Sequence, residues 1–285
     1  MRLATVVAAL ALAGCAATAP YRTIELAFDG QAQAIDPRAP PDELAIAQVA
    51  ARLIHDRLGL PFPAATTLHL YASQASFAEG LSREAGMDGD AAWSRSRFAS
   101  GFSSPHGIFL RADRLASMSA VDRVGTIAHE LTHIAQGEMR RGGRGAAAQW
   151  IHEGHADWVK FRVIEMLGLR TYAASRAEVW RSALRSPTPI QRFPSLVDLS
   201  RADQWTEARG RLGSAATYGQ AFLAVDALVE GYGIERLHEF LRRFSLDAPP
   251  ASHWRAVFPV PFARFVQHFR ARLEAWPESR LESPR

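Results

Sequence analysis

The chain has 285 residues, 48% hydrophobic and 22% charged, so it is long and apolar enough to bury the core of one large domain or two small ones. Its formal net charge is +4, but no run of basic residues alternates with aromatic ones and no nucleic-acid-binding motif is present, so we expect no nucleic-acid partner. The single cysteine, Cys15, excludes an intramolecular disulfide.

The N-terminus has the pattern of an export signal. An arginine at position 2 is followed by an apolar run over 3–13, which is too short to span a bilayer as a helix. The sequence Leu12-Ala13-Gly14-Cys15 resembles the lipobox of bacterial lipoproteins, in which the peptide is cut before the cysteine and the cysteine carries the lipid. The alternative is an ordinary secretory signal with a chance cysteine.

The lipobox resemblance implies a location in the bacterial cell envelope. It implies a signal peptide over 1–14, a lipidated Cys15 and a tether as far as residue 40. Ala16 stands where a retention signal would have an aspartate, so the resemblance implies an outer-membrane anchor with the protein facing the periplasm. The membrane partner is then reached through covalent lipid.

Strand and helix patterns alternate in the first part of the remaining chain. Residues 42–59 and 74–86 carry apolar positions at helical spacing, and the first of these segments ends at a glycine. Alternating or β-rich segments predict strands over 22–30, 66–72 and 106–113. The segment SGFSSP over 100–105 is predicted to be a loop.

A long amphipathic helix is predicted after Ser119, which together with Asp122 is close to a capping box. His129 and His133 fall on the side opposite its apolar stripe, as expected for the wall of a cleft. The stripe consists of Val124, Ile127, Ala128, Leu131, Ile134 and Ala135.

The second half of the chain is predicted to be mostly helical. Glycines at 142, 143 and 145 make a flexible connection to a helix over 148–167, and the proline-containing segment 170–213 is predicted to be less regular. Further helices are predicted at 216–230, 234–245 and 261–275. The order predicts an α+β fold with a small mixed sheet, formed by a single domain over 41–280 whose α+β part, 41–168, precedes a helical part, 169–280.

The sequence HELTH, from His129 to His133, predicts a metal site. Two histidines four apart lie one turn from each other on a helix and can bind one ion, and Glu130 would act as general base for a metal-activated water. A third ligand is needed, and Glu153 offers one from a neighbouring helix. Asp157, one turn further, is placed to hold a ligand histidine in orientation. The third ligand stays open between Glu153 and three neighbours: His152, His155 and Asp157.

HELTH followed by WIHEGHADW resembles the gluzincin group of zinc metallopeptidases, closest to its peptidase MA-like members. The resemblance implies a zincin-like fold, one Zn2+ held by His129, His133 and Glu153, and Glu130 as the base. The continuation of the metzincin motif is absent, and so is the further motif of the aspzincins.

Two further features follow from the gluzincin resemblance. Tyr218 corresponds to a tyrosine that donates a hydrogen bond to the developing oxyanion, although a packing role is the alternative reading. The strand over 106–113 corresponds to an edge strand that pairs with the backbone of an extended substrate.

The expected function is that of a membrane-anchored zinc peptidase that acts on a peptide or protein substrate. No segment that binds a free substrate amine is recognisable, which favours endopeptidase activity. The alternatives are a non-catalytic zinc-binding periplasmic module and a hydrolase of a non-protein amide such as a cell-wall fragment.

Overall fold

The computed structural model describes residues 21–27, 42–141, 143 and 145–275. The predicted signal peptide, Cys15 and the predicted tether apart from residues 21–27 lie outside the described residues. No helix in the described ranges is long and apolar enough to cross a bilayer.

A mixed sheet of four strands forms one part of an α+β fold. The strands are β1 (Tyr21–Ala27), β2 (Ala65–Tyr71), β3 (Gly101–Ser104) and β4 (Gly107–Arg111), and their order across the sheet is β1-β2-β4-β3. β2 runs antiparallel to β1 and parallel to β4, and β3 runs antiparallel to β4. Three of the strands match the predicted segments.

The fourth strand, β3, corrects two predictions. Its residues were expected to form a loop, because glycine and serine have low strand propensity, but pairing with β4 supplies the missing stabilisation. The predicted edge strand over 106–113 lies inside the sheet, between β2 and β3, and the two edge strands of the sheet are β1 and β3. Gly107 makes the tight connection at φ 136°.

Short helices surround the sheet. α1 (Glu43–Leu58) begins at Asp42, whose side chain accepts a hydrogen bond from the Leu44 amide, and ends at Gly59 in the left-handed conformation. α2 (Gln74–Arg83) also matches its prediction. α3 (Gly89–Ser96) and α4 (Ala112–Ala116) were not predicted, because at eight and five residues they are too short to show a clear helical period.

Two long helices follow the sheet and pack against each other. α5 (Ala120–Met139) begins at Ser119, whose hydroxyl accepts a hydrogen bond from the Asp122 amide as predicted. α6 (Gln149–Met166) lies antiparallel to it, because Gly125 near the start of α5 faces Lys160 near the end of α6. The predicted apolar stripe of α5 is buried in the core, with only Ile134 partly exposed.

The rest of the chain is helical. The segment 170–213, predicted to be less regular, contains the helices α7 and α8, and the prediction holds only for the connection between them, which includes the prolines at 187, 189 and 194. α11 was not predicted. The helices are α7 (Tyr172–Leu184), α8 (Ala202–Leu212), α9 (Ser214–Tyr232), α10 (Ile234–Arg242), α11 (Pro250–Val257) and α12 (Phe262–Glu274).

One main hydrophobic core extends from Leu26 in β1 to Leu273 in α12 and is shared by the sheet and the helical half. Within it α6 packs closely against α9. A Cβ atom added to Gly154 would lie 2.3 Å from the carbonyl oxygen of Ala221, so only glycine permits this approach. The contact fixes α9 beside the part of α6 that carries Glu153.

Candidate metal centre

Three side chains from α5 and α6 converge on one point. The Nε2 atoms of His129 and His133 lie 3.1 Å apart, and Oε2 of Glu153 lies 3.2 Å from the first and 3.6 Å from the second. These atoms form a group within 4.8 Å that could hold a metal ion. The separation of four residues in α5 and the antiparallel packing of α6 bring the three together.

The other proposed ligands are placed differently. His152 stacks on His133 with the ring centroids 4.4 Å apart, outside the group that could hold an ion. His155 is fully buried, and its two nitrogens are hydrogen-bonded to Gln136 and to His238 instead of reaching the shared point. Oδ1 of Asp157 contacts the Nδ1 atom of His129 instead of the shared point. The geometry therefore brings Glu153 to the two histidines, among the four residues considered.

Each member of the cluster is held by a second polar contact. Nδ1 of His129 lies 2.9 Å from Oδ1 of Asp157, as the sequence predicted, and this oxygen also accepts from Lys160 at 3.1 Å. Gln149 donates to Oε1 of Glu153 at 2.8 Å. The contacts fix the tautomer of the imidazole and leave Nε2 and Oε2 directed at the common point.

Gln136 forms a hydrogen bond with His133, and this role was not predicted from the sequence. Its Oε1 atom lies 2.9 Å from Nδ1 of His133, so the imidazole must donate this hydrogen bond. Gln136 is three residues beyond His133 and Gln149 is four before Glu153. Both spacings place an amide on the same helix face as the cluster, and this is the signal that would have found them.

A buried hydrogen-bonded chain continues from Gln136. Its amide donates to the carbonyl of His152 at 2.9 Å and to Nδ1 of His155 at 3.0 Å. His155 therefore carries its proton on Nε2, which lies 3.2 Å from Nε2 of His238 in α10. Burial lowers the pKa of His238 to about 4 and that of His155 well below its usual value, so both rings are neutral at pH 7.

The carboxylates of Glu153 and Asp157 place negative charge beside the two histidines. Burial alone would lower the pKa of His129, but hydrogen bonds with Asp157 and Glu153 outweigh it and raise this pKa to about 10. Burial likewise opposes ionisation of Glu153, and the two histidines lower its pKa well below the usual value nonetheless. The carboxylates of Glu153 and Asp157, which raise the pKa of His129, would attract a metal cation to the same point.

Glu130 lies between the two histidines on α5 and faces strand β3. Ser103 donates to its Oε2 atom at 2.6 Å and also contacts its backbone carbonyl at 2.9 Å. A Cβ atom added to Gly101 would lie 2.7 Å from Cγ of Glu130. The small residues that made β3 look like a loop therefore provide the space and the hydrogen bond for this carboxylate.

Tyr218 in α9 borders the same cleft. Its ring centroid is 6.1 Å from that of His129, and Trp205 packs edge-on against it at 5.0 Å. Burial raises the pKa of Tyr218 and the charge of Glu153 raises it further, so the phenol is a neutral hydrogen-bond donor at physiological pH. The structure thus brings the predicted residue to the cluster, while its catalytic role stays a prediction.

A cleft of about 1160 Å3 opens over the cluster. It is bordered on one side by β3 and on the other by the helical half, including Tyr218, and Glu130 and His133 lie in its floor. Its volume is sufficient for several residues of an extended peptide. Comparisons with protein-family models, with curated proteins and with solved structures find no match for this chain.

Proposed function

We propose that this protein is a zinc-dependent peptidase of the gluzincin type, which hydrolyses peptide bonds in the cleft. The observation that carries the proposal is the convergence of His129, His133 and Glu153 beside the carboxylate of Glu130. Two imidazoles and one carboxylate are a donor set typical of catalytic zinc, which keeps a fourth position for water or substrate.

The separations of the three donor atoms fit zinc. Donors about 2.0–2.1 Å from a tetrahedral ion lie about 3.3 Å apart, and the observed separations are 3.1, 3.2 and 3.6 Å. His129, His133 and Glu153 would hold the ion through Nε2, Nε2 and Oε2. Zinc bound there would polarise the scissile carbonyl and lower the pKa of water toward neutrality.

Glu130 is the proposed general base. It accepts the proton of the attacking water and then transfers this proton to the leaving amine. The hydrogen bond from Ser103 fixes its Oε2 atom, and within the described part of the chain its Oε1 atom receives none. One oxygen is therefore anchored to the sheet while the other serves proton transfer.

Tyr218 is the proposed donor to the developing oxyanion. Its raised pKa keeps the phenol protonated, so it stabilises negative charge without adding charge to the ground state. Trp205 fixes the ring by edge-on packing and so limits the entropy lost on reaching that geometry.

Strand β3 is the proposed backbone partner of the substrate. It is the free edge of the sheet next to the cleft, and it takes the role that the sequence had assigned to 106–113. An extended peptide added to this edge would run past Glu130, because Ser103 in the strand contacts that side chain.

The decisive experiment measures metal content and peptide cleavage on the same preparations of three proteins. The wild type is expected to contain one zinc per chain and to digest casein or a peptide library. Glu130→Gln is expected to keep the zinc and lose cleavage, whereas Glu79→Gln, an exposed control on α2, keeps both. Cleavage by Glu130→Gln would contradict the assigned base, and a wild type without zinc would contradict the metal.

The same preparations separate the two alternative functions. Zinc without cleavage of peptides or of muropeptides would favour a non-catalytic binding module. Cleavage of muropeptides alone would favour a hydrolase of non-protein amides.

Anchoring through Cys15 is proposed from the lipobox pattern alone. Metabolic labelling with a radioactive fatty acid is expected to mark the wild type and not Cys15→Ser, and membrane fractionation is expected to find only the wild type in the outer membrane. Soluble wild-type protein without label would contradict the anchor.

A further inference from the structure

The charges that line the cleft do not balance. Five basic side chains and four acidic ones border it, and two pairs neutralise each other: Arg141 with Glu138, and Lys160 with Asp157. Glu130 and Glu153 belong to the metal and base positions, where a bound divalent cation would offset their charge. The basic side chains left over are Arg95, Arg140 and Arg209.

These three arginines have no acidic partner among the residues that the structure describes. Arg95 lies over the ring of Phe102 at 4.9 Å, and Arg140 directly follows the last residue of α5 at the border of the cleft. The walls of the cleft therefore carry uncompensated positive charge, which attracts anions into a partly enclosed site.

Arg209 lies closer to an aromatic ring than Arg95 does. Its guanidinium carbon lies 3.6 Å from the centroid of Phe98, which follows α3 on the sheet side, while Arg209 itself belongs to α8 in the helical half. Stacking on an aromatic face orders a guanidinium without neutralising it, so the charge stays available to a ligand.

The position of Arg209 relates it to the reacting groups. Trp205, one turn before Arg209 in α8, packs edge-on against Tyr218 with the ring centroids 5.0 Å apart, and Arg209 itself borders the cleft. Arg209 therefore lies on the Tyr218 side of the cluster, close to where the side chains that flank a scissile bond would lie.

We infer that the cleft selects peptides that carry an acidic side chain next to the cleaved bond, and that Arg209 pairs with this carboxylate. A planar guanidinium matches a carboxylate with two parallel hydrogen bonds, which gives position as well as charge selectivity. The inference rests on the proposed function in one respect: it takes the bound peptide to be the substrate.

The first test measures binding and does not need catalysis. Dye-labelled, end-blocked alanine peptides that carry one Glu, Gln or Lys at successive positions are titrated against zinc-loaded Glu130→Gln protein by fluorescence anisotropy. At one or two positions the Glu peptide is expected to bind roughly ten- to a hundredfold more tightly than the Gln peptide, as for a charged hydrogen bond. The Lys peptide is expected to bind more weakly than both.

Variants of Arg209 in the Glu130→Gln protein test whether this arginine is responsible for the preference for acidic peptides. Arg209→Gln is expected to abolish the Glu preference, and Arg209→Met, which keeps an unbranched stem against Phe98, should do the same if the charge is responsible. Arg211→Gln removes the same charge from an exposed position of the same helix outside the cleft and is expected to keep the preference. Thermal melting confirms that each variant is folded.

Several results would overturn the inference. They are equal binding of Glu and Gln peptides, a preference that survives both Arg209 variants, and a preference that is the same at every peptide position. The last would indicate a general affinity for polyanions, which heparin competition at matched salt would also reveal.

Cleavage by the protein with Glu130 intact separates this inference from the proposed function. Hydrolysis beside the acidic residue supports both. Hydrolysis without any preference for acidic peptides would support the peptidase function and contradict the inferred selectivity. Selective binding of acidic peptides without hydrolysis would support the binding site and contradict the peptidase function.

Discussion

Gln136 and His133 are joined by a hydrogen bond of 2.9 Å between Oε1 and Nδ1, one turn apart on α5. Because the amide also donates to His155, its orientation is fixed from both ends. Gln136→Leu is expected to lower zinc affinity roughly ten- to a hundredfold, since the imidazole loses the partner that sets its tautomer and direction. Competition with a fluorescent chelator measures this, and Gln267→Leu on the exposed face of α12 should change nothing. Equal affinities would contradict the orienting role.

Gly101 provides a test of the space beside the base. In Gly101→Ala the new methyl group would lie 2.7 Å from Cγ and from Oε1 of Glu130, so the carboxylate must move. We expect kcat to fall by more than about tenfold while zinc content is kept, because a base displaced by an ångström loses its alignment. Gly89→Ala, where no atom lies within 4 Å of the new group, is the matched control. Unchanged kcat in Gly101→Ala would show that the close contact is not needed.

Tyr218→Phe separates the two readings of this tyrosine. Phenylalanine keeps the packing on Trp205 but removes the hydroxyl, so a role in oxyanion stabilisation predicts a loss of kcat of about a hundredfold or more with KM and zinc content little changed. Tyr232→Phe, at the end of α9, is expected to keep full activity. If Tyr218→Phe is as active as the wild type, the hydroxyl has no catalytic role and the side chain serves only in packing.

The buried histidine pair predicts how the metal-free protein responds to acid. The pKa of His238 is lowered from its usual 6.5 to about 4, so between these values the unfolded chain binds more protons than the folded one. The contribution of His238 to the free energy of unfolding is therefore fully present above pH 6.5 and is lost as the pH drops toward 4, by up to about 1.4 kcal/mol per pH unit.

Urea unfolding in EDTA at several pH values measures the slope. His238→Gln is expected to flatten it in part, because His155 is neutral for the same reason of burial and still contributes. His268→Gln, on the exposed face of α12, is expected to leave the slope as in the wild type. An unchanged slope in His238→Gln would mean that the ring is already protonated in the folded state.

The parts of the fold that are specified locally could be predicted. The apolar stripe of α5, the cap at Ser119 and the glycine that ends α1 depend on residues a few positions apart, and each is where the sequence indicated. Strand β3 depends on pairing with β4 and has no local signal of its own. The helices α7 and α8 are harder to predict, because prolines in the connection between them interrupt the helical pattern of 170–213.

The third ligand illustrates the same limit within the site. The sequence placed His152, Glu153, His155 and Asp157 on one helix but did not give the rotation of that helix about its axis. The rotation is set by contacts far apart in the chain: Gly154 against Ala221, and Gly125 against Lys160. Once it is fixed, Glu153 and Asp157 contact His129 of α5 one turn apart, whereas His155 contacts Gln136 and His238.

The close approach of Gly154 to Ala221 also bears on which part of the cleft can move. Because Gly154 has no side chain, the backbones of α6 and α9 are in direct contact at this point. We therefore expect α6, which carries Glu153, and α9, which carries Tyr218, to move together. If the cleft widens to bind a peptide, we expect the short edge strand β3 to move, because it is paired with a neighbouring strand on one side only. We therefore expect movements that widen the cleft to occur at β3, where the chain is polar and contains glycine, and not between α6 and α9.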